Sequence, residues 1–389
     1  MTCAGRPSST VQAISTPTDQ PPGDAAPARP SHVAPLGSAV VVEGQWGFER
    51  SERVLIINAG GTIGMGPDAT GALAPLPVGD LVAHARPRDE SGFGVTFASF
   101  RQPLDSSRMR PSDWTLIADA IVALAPGHTG IVVLHGTDTL AFTASALSFM
   151  LGGVDRPIVL TGAQRPISEF RSDAPQNLTT ACMIASPRTH GLPIVPEVSV
   201  WFYDRLLRGN RTSKVDADSY TGFASPNLPP LGHAGVALKI DRPALLPAGS
   251  GGLRRTSGVC GDVAAVRLHP ALDGAQLDAV LSRPGLRGAV IEAYGSGNGP
   301  DEPEFLAALR RASDAGVVVV ITTQCGAGTV RQGYYAAGAA LFETGAISGL
   351  DLTFEAAITK LMVLLDQHPA ARVRELMSVP LAGELTPIG

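Results

Sequence analysis

Lysine is almost absent from this chain: of 30 basic residues only Lys214, Lys239 and Lys360 are lysines. Guanidinium serves wherever a bare positive charge suffices, so each surviving ammonium is a candidate for chemistry that arginine cannot perform. Cysteine is sparse too. Cys3, Cys182, Cys260 and Cys325 show no C-x-x-C spacing, which excludes a disulfide framework and a thiolate zinc site and fits a reducing compartment. No 18-residue apolar run occurs, and the first residues carry no apolar signal core. A membrane span and a secretory signal are therefore not expected, and the protein is expected in the cytoplasm. Positive charge is not in excess. A net charge of -5 and a pI near 5.9 make neither nucleic acid nor a membrane surface an expected partner. The G-x-x-x-x-G-K-[ST] phosphate loop and the G-x-S-x-G serine elbow are both missing, and the one G-x-G-x-x-[GA] match, Gly64 to Ala69, contains Pro67 and lies too far past its strand. With no His-x-x-x-His pair or His/Cys cluster, no metal or other cofactor is expected.

What is present is a long apolar text. At 389 residues and 44% hydrophobic, the chain has material for two cores. Residues 1–50, rich in Pro, Ser, Ala and Gly, read as a disordered, dispensable leader, with one short strand of open role at residues 38–43. From Val54 onward, short β-branched runs alternate with helix-period segments. The runs are Val54–Ile57, Ile131–Leu134, Ile158–Leu160, Val198–Phe202, Val263–Leu268, Ala289–Ile291 and Val317–Ile321. Apolar on both faces, they predict strands of parallel sheets. Helices are expected after the second run, with Asp138 or Thr139 as cap, and near Pro175–Ala185, Leu272–Leu281, Glu302–Ala315 and Phe354–Leu365. A Pro-, Gly- and Arg-rich stretch reads as a linker at 244–260. The expected class is thus α/β with two domains, each a mainly parallel sheet with flanking helices, the larger at 51–243 and the smaller at 261–389.

Ligands of open parallel sheets bind beyond the carboxyl ends of strands. After the first run stands Asn58-Ala59-Gly60-Gly61-Thr62, where paired glycines allow close backbone approach and present a hydroxyl. After the second stands His135-Gly136-Thr137-Asp138-Thr139. A threonine hydroxyl is a poor nucleophile without a base or proton relay. Lys214, in a polar stretch that otherwise uses arginine, can share a proton where guanidinium cannot. His135, at the end of a buried strand, reads as a structural imidazole, and Cys325 as a small apolar residue closing a strand.

Gly60-Gly61-Thr62-Ile63-Gly64, His135-Gly136-Thr137-Asp138-Thr139-Leu140, Thr161-Gly162-Ala163-Gln164, Arg208-Gly209-Asn210-Arg211-Thr212-Ser213-Lys214 and Ala224-Ser225-Pro226-Asn227-Leu228-Pro229-Pro230 together resemble the signature of the cytoplasmic, type I bacterial L-asparaginases. The likeness runs from about Val54 to Thr386-Pro387. It implies hydrolysis of asparagine to aspartate and ammonia through a threonine acyl-enzyme, without cofactor. Thr62 matches the family's nucleophile, and Thr137, Asp138 and Lys214 the groups that manage proton transfer and water. Asp105 and Ser106, with the Gly61 and Gly136 turns, match the substrate-binding loops. Asn298 matches a residue donated by a neighbouring subunit, so the resemblance implies a homo-oligomer, dimer or tetramer.

Three departures stand out. Family members often carry a flap tyrosine that relays the nucleophile's proton; this chain has Ala72 there, and Tyr335 is the candidate replacement. Glu292 and Ser213 replace the arginine and threonine of allosteric members, so effector control by asparagine is not expected. Arg108 stands where aspartate is usual. The alternatives to an asparaginase are an amidase acting mainly on glutamine or another amide, and a catalytically silent amino-acid sensor.

Overall fold

The computed structural model describes residues 39–47, 49–67, 73–76, 92–332 and 336–387. Ala72, Tyr335 and residues 1–38 of the expected leader lie outside them. Nine strands form the larger sheet: β1 (Val40–Trp46), β2 (Arg53–Asn58), β3 (Gly94–Phe100), β4 (Gly130–Leu134), β5 (Ile158–Thr161), β6 (Val198–Phe202), β7 (Arg205–Arg208), β8 (Gly232–Ala234) and β9 (Leu238–Ile240). Their order is β1-β3-β2-β4-β5-β6-β7-β8-β9. The block from β3 to β6 is parallel, whereas β1 and the β7–β9 meander are antiparallel additions at either edge.

The period of two in a strand divides its side chains between two cores. Leu55, Ile57, Ile131 and Val133 face α1 (Pro111–Leu124) and α2 (Leu140–Met150). Val54, Ile56, Val132 and Leu134 face α3 (Ala174–Ala185) on the other side. With both faces covered, the strands are continuous apolar runs, as parallel sheets require.

The smaller sheet is wholly parallel, in the order β10 (Val263–Arg267), β11 (Gly288–Ala293), β12 (Val318–Thr323) and β13 (Ile347–Ser348). Helices α4 (Gly274–Leu281), α5 (Pro303–Asp314) and α6 (Ala336–Glu343) contribute to the core on one face. On the other lie α7 (Phe354–Gln367) and α8 (Ala370–Met377). Helix α7 also joins the halves. Leu361 and Leu364 belong to the smaller domain's core, Met362 and Val363 to the larger one's, and the Ser145 and Thr359 hydroxyls bond across the junction at 2.8 Å.

Four expectations change. The leader cannot extend to residue 50, because Val40–Trp46 is an edge strand on β3 and Glu43 accepts a 2.7 Å hydrogen bond from the Ser99 hydroxyl. Strand β3 and helix α1 carry no sequence expectation. In β3, Gly94, Thr96 and Ser99 interrupt the apolar run, yet every residue is buried. Thr139 is the N-cap residue of α2 but makes no side-chain cap; its hydroxyl donates instead to the Ser106 carbonyl at 2.8 Å. Cys325 is exposed, its strand ending two residues earlier. Within the expected linker, Arg254–Arg255 pairs antiparallel with Leu151–Gly152.

Candidate active site

The site forms where the loops after β2, β3 and β4 abut. Asn58 Oδ1 accepts from the Gly60 amide at 3.1 Å, and Gly60 and Gly61 follow with φ of 124° and 97°, a region that L side chains rarely enter. Thr62 then opens a 3₁₀ turn, Thr62–Gly64. A β-carbon on Gly61 would collide with the Gly136 backbone, and one on Gly136 would collide with the Ser106 side chain. Two absent methyl groups let three loops close on one another.

On the loop after β4, Thr137 is buried, while Asp138, 61% exposed, reaches outward. Both meet Lys214. Its Nζ donates to Thr137 Oγ1 at 3.0 Å and to Asp138 Oδ1 at 2.9 Å. Lys214 lies in a two-residue strand, Ser213–Lys214, paired antiparallel with Phe223–Ala224, and Phe223 anchors that ribbon against Phe202 with ring centres 4.7 Å apart. The preceding residues are clamped to the C-terminal segment. Arg211 Nη1 pairs with Asp351 at 2.9 Å, the Thr386 hydroxyl donates to the same carboxylate at 2.6 Å, and Asn210 donates to the Ala382 carbonyl at 2.9 Å. Burial alone would raise Asp351, but Thr386 and Arg211 together hold it below the usual carboxylate value.

Asp105 caps the turn Ser106–Arg108, accepting from the Ser107 hydroxyl at 2.7 Å and amide at 2.9 Å. Those bonds keep its acidity above that of a free side chain. Arg108 is exposed beside it, 3.6 Å away. His135 is buried, and its Nδ1 and Nε2 lie 2.7 Å from the Gly136 carbonyl and 2.9 Å from Thr143 Oγ1. Only an N–H can meet a carbonyl, so Nδ1 carries the proton and Nε2 accepts from Thr143. Burial drives the imidazole down to about 4, leaving it neutral near pH 7.

Of the residues singled out in the sequence, Gly61, Ser106, Gly136, Thr137, Asp138 and Lys214 are joined by these contacts, with Asp105 next to Ser106 and Thr62 next to Gly61 in the chain. The Thr62 hydroxyl makes no hydrogen bond among the described residues. Asn298 stands apart. Its backbone forms a tight hairpin with Tyr294 on the smaller domain, through bonds of 2.8 and 2.9 Å, and no described hydrogen bond links it to the cluster. Three residues carried no sequence expectation. Asp351 anchors Arg211, Asn227 bonds Gly328 and the Asp351 carbonyl, and Glu355 accepts from Ser213. Asn227 was visible only as part of a motif. The other two sit in ordinary helical and loop text, and their links to the lysine strand, Arg211 to Asp351 and Ser213 to Glu355, span 140 and 142 residues. Among the described residues, no group of three or more His, Cys, Asp or Glu side chains is arranged to hold a metal ion, and no helix is long and apolar enough to cross a membrane.

Residues 53–245 match a family described as "Asparaginase, N-terminal", and residues 262–377 one described as "Glutaminase/Asparaginase C-terminal domain". L-asparaginase 1 of Escherichia coli strain K12 is 43% identical over 293 residues, which is 75% of this chain and 85% of that protein. This chain belongs to the asparaginase family. Solved structures agree with the fold. L-asparaginase I from Vibrio cholerae superposes with a TM-score of 0.78 at 36% identity, covering 86% of this chain and 99% of that one. The thermostable L-asparaginase from Thermococcus kodakarensis gives 0.79 at 34% identity, covering 86% and 100%. The asparaginase-family cores correspond to the two sheets described above, and the ribbon at Arg254–Arg255 lies between the matched segments.

Proposed function

We propose that this chain hydrolyses the side-chain amide of L-asparagine to aspartate and ammonia through an ester on Thr62. The observation that carries the reading is the double engagement of Lys214 Nζ, 3.0 Å from Thr137 Oγ1 and 2.9 Å from Asp138 Oδ1, beside the glycine-built turn that presents Thr62. Thr62 Oγ1 attacks the amide carbon, the C–N bond breaks, and ammonia leaves with the proton it acquires. Water, deprotonated by way of Thr137 and Lys214, then cleaves the ester. Asp138 anchors the lysine and offers its exposed carboxylate to the substrate's α-ammonium. Asp105 and Ser106 serve the substrate's amino-acid end, with the Gly61 and Gly136 turns lining the crevice.

Because Thr62 has no described hydrogen-bond partner, its proton requires a group from outside the cluster, and Tyr335 is our candidate for that relay. Asn298 acts in the site of a neighbouring copy, which makes the working enzyme a homo-oligomer, and its place is the cytoplasm. The test is ammonia release from asparagine, glutamine and D-asparagine by the purified protein and by Thr62→Ala. Release from L-asparagine that Thr62→Ala abolishes supports the proposal. Faster release from glutamine would make the chain a glutaminase, a choice that turns on one methylene worth about 1–3 kcal/mol. Binding without release from any amide would make it a sensor.

A further inference from the structure

Lys214 is held from behind by the other domain. Adjacent residues of a strand point to opposite sides, and while Lys214 reaches Thr137 and Asp138 of the larger domain, its neighbour Ser213 turns the other way and donates to Glu355 Oε2 at 2.8 Å. Glu355 belongs to the first turn of α7, whose N-cap Thr353 uses its hydroxyl on the Ala356 amide at 3.1 Å. An acid in a helix's first turn is ordinarily a solvated partner of the helix dipole. Glu355 is instead half-buried at the domain junction and makes no salt bridge among the described residues.

We propose that Glu355 is a positioning residue, which through Ser213 fixes the strand that aims the Lys214 amine at Thr137 and Asp138. The inference rests on the asparaginase reading of the cluster. The groups facing Glu355 give it a further property. Burial raises its pKa, against opposing hydrogen bonds from its own amide, Ser213 and Thr353, and the nearby Glu292 of β11 adds a lesser push upward. Glu292 is itself raised by burial, with Arg267 of β10 at 3.6 Å opposing. Burial and the second carboxyl both favour the protonated form of Glu355, while the contact with Ser213 requires only an acceptor oxygen, which either form supplies.

The experiment compares Glu355→Gln, Glu355→Ala and Ser213→Ala with the wild type by kcat and KM for asparagine across pH. In parallel, the Cε signals of ¹³C-lysine-labelled protein are titrated; with only three lysines the spectrum is simple. Glutamine keeps a side-chain oxygen that can accept from the Ser213 hydroxyl, so Glu355→Gln should keep kcat near the wild-type value. Glu355→Ala and Ser213→Ala should each lower kcat by about 10- to 100-fold, the penalty of a misaimed group, with little change in KM. The double variant should be no worse than either single one. The Lys214 signal should shift in both alanine variants and stay in place in Glu355→Gln. A kcat for Glu355→Gln as poor as that of Glu355→Ala, or a Lys214 signal unmoved by Ser213→Ala, overturns the proposal. The lysine signals are read without turnover, so an inactive wild type would sink the asparaginase reading while leaving this one decided by the spectrum.

Discussion

Gly61 and Gly136 meet backbone against backbone, one on the loop after β2 and the other on the loop after β4, with no room between them for a methyl group. Gly61 also holds φ at 97°. Alanine at 61 combines left-handed strain with a collision against main chain, which cannot rotate away. Gly136→Ala instead meets the Ser106 side chain, with the Ser106 β-carbon 2.7 Å from the new methyl position. Gly61→Ala should therefore be the worse of the two, destabilising by roughly 1–3 kcal/mol or more and abolishing turnover. Urea unfolding and ammonia release measure both effects. A Gly61→Ala enzyme with wild-type stability would show that the loops are not in contact in solution.

Lys214→Arg separates charge from proton exchange. Arginine keeps the positive charge near Asp138, but a guanidinium stays protonated at working pH. If Lys214 passes a proton, Lys214→Arg should lose kcat almost as fully as Lys214→Met, by about 10²-fold or more. Substantial activity in the arginine variant would reduce the lysine to an electrostatic anchor for Thr137 and Asp138.

His135 sets an acid limit on stability. Its value falls from 6.5 in the unfolded chain to about 4 in the fold, so between those values the unfolded chain binds the proton and the native one does not. Stability from this group is present in full above pH 6.5 and drains away as pH drops towards 4, by about 3 kcal/mol in all. His135→Asn, which can still donate to the Gly136 carbonyl, should be less stable at pH 7.5 yet lose less on going to pH 4.5. Parallel stability curves for the two proteins would rule the imidazole out as the source.

Much of the fold was legible because β2, β4, β5, β6 and, in the smaller sheet, β11 and β12 are buried on both faces, and burial writes itself as unbroken Val, Ile and Leu. The residues presented at their ends, Thr62, Thr137 and Asp138, were legible for the same reason: the strand before each was unmistakable. Strand β3 was not, since Thr96 and Ser99 sit in it with partners, His128 and Glu43, far along the chain. The antiparallel meander β7–β9 was hidden by strands of three or four residues. Glu355 was invisible as a site residue because its meaning lies in a 2.8 Å contact with Ser213 across 142 residues, and nothing in a helix-start glutamate announces that it faces a serine and a second carboxyl.

The edge strand β1 gives the last test. Val40 and Val42 pack on one core and Trp46 on the other, while the strand's amides pair with β3 from Val40↔Phe100 to Trp46↔Val95. Deleting residues 1–46 removes this pairing and leaves β3 as an exposed apolar edge, which invites association with other chains. Deleting residues 1–38 leaves β1 in place. The difference in stability between the two truncations isolates the strand, and a loss of about 2 kcal/mol or more is expected from the apolar side chains uncovered, with aggregation of the shorter protein on sizing. Because β3 continues directly into the Asp105 and Ser106 loop, the shorter protein should also bind asparagine more weakly. Two truncations of equal stability and equal KM would return residues 40–46 to the status of a leader.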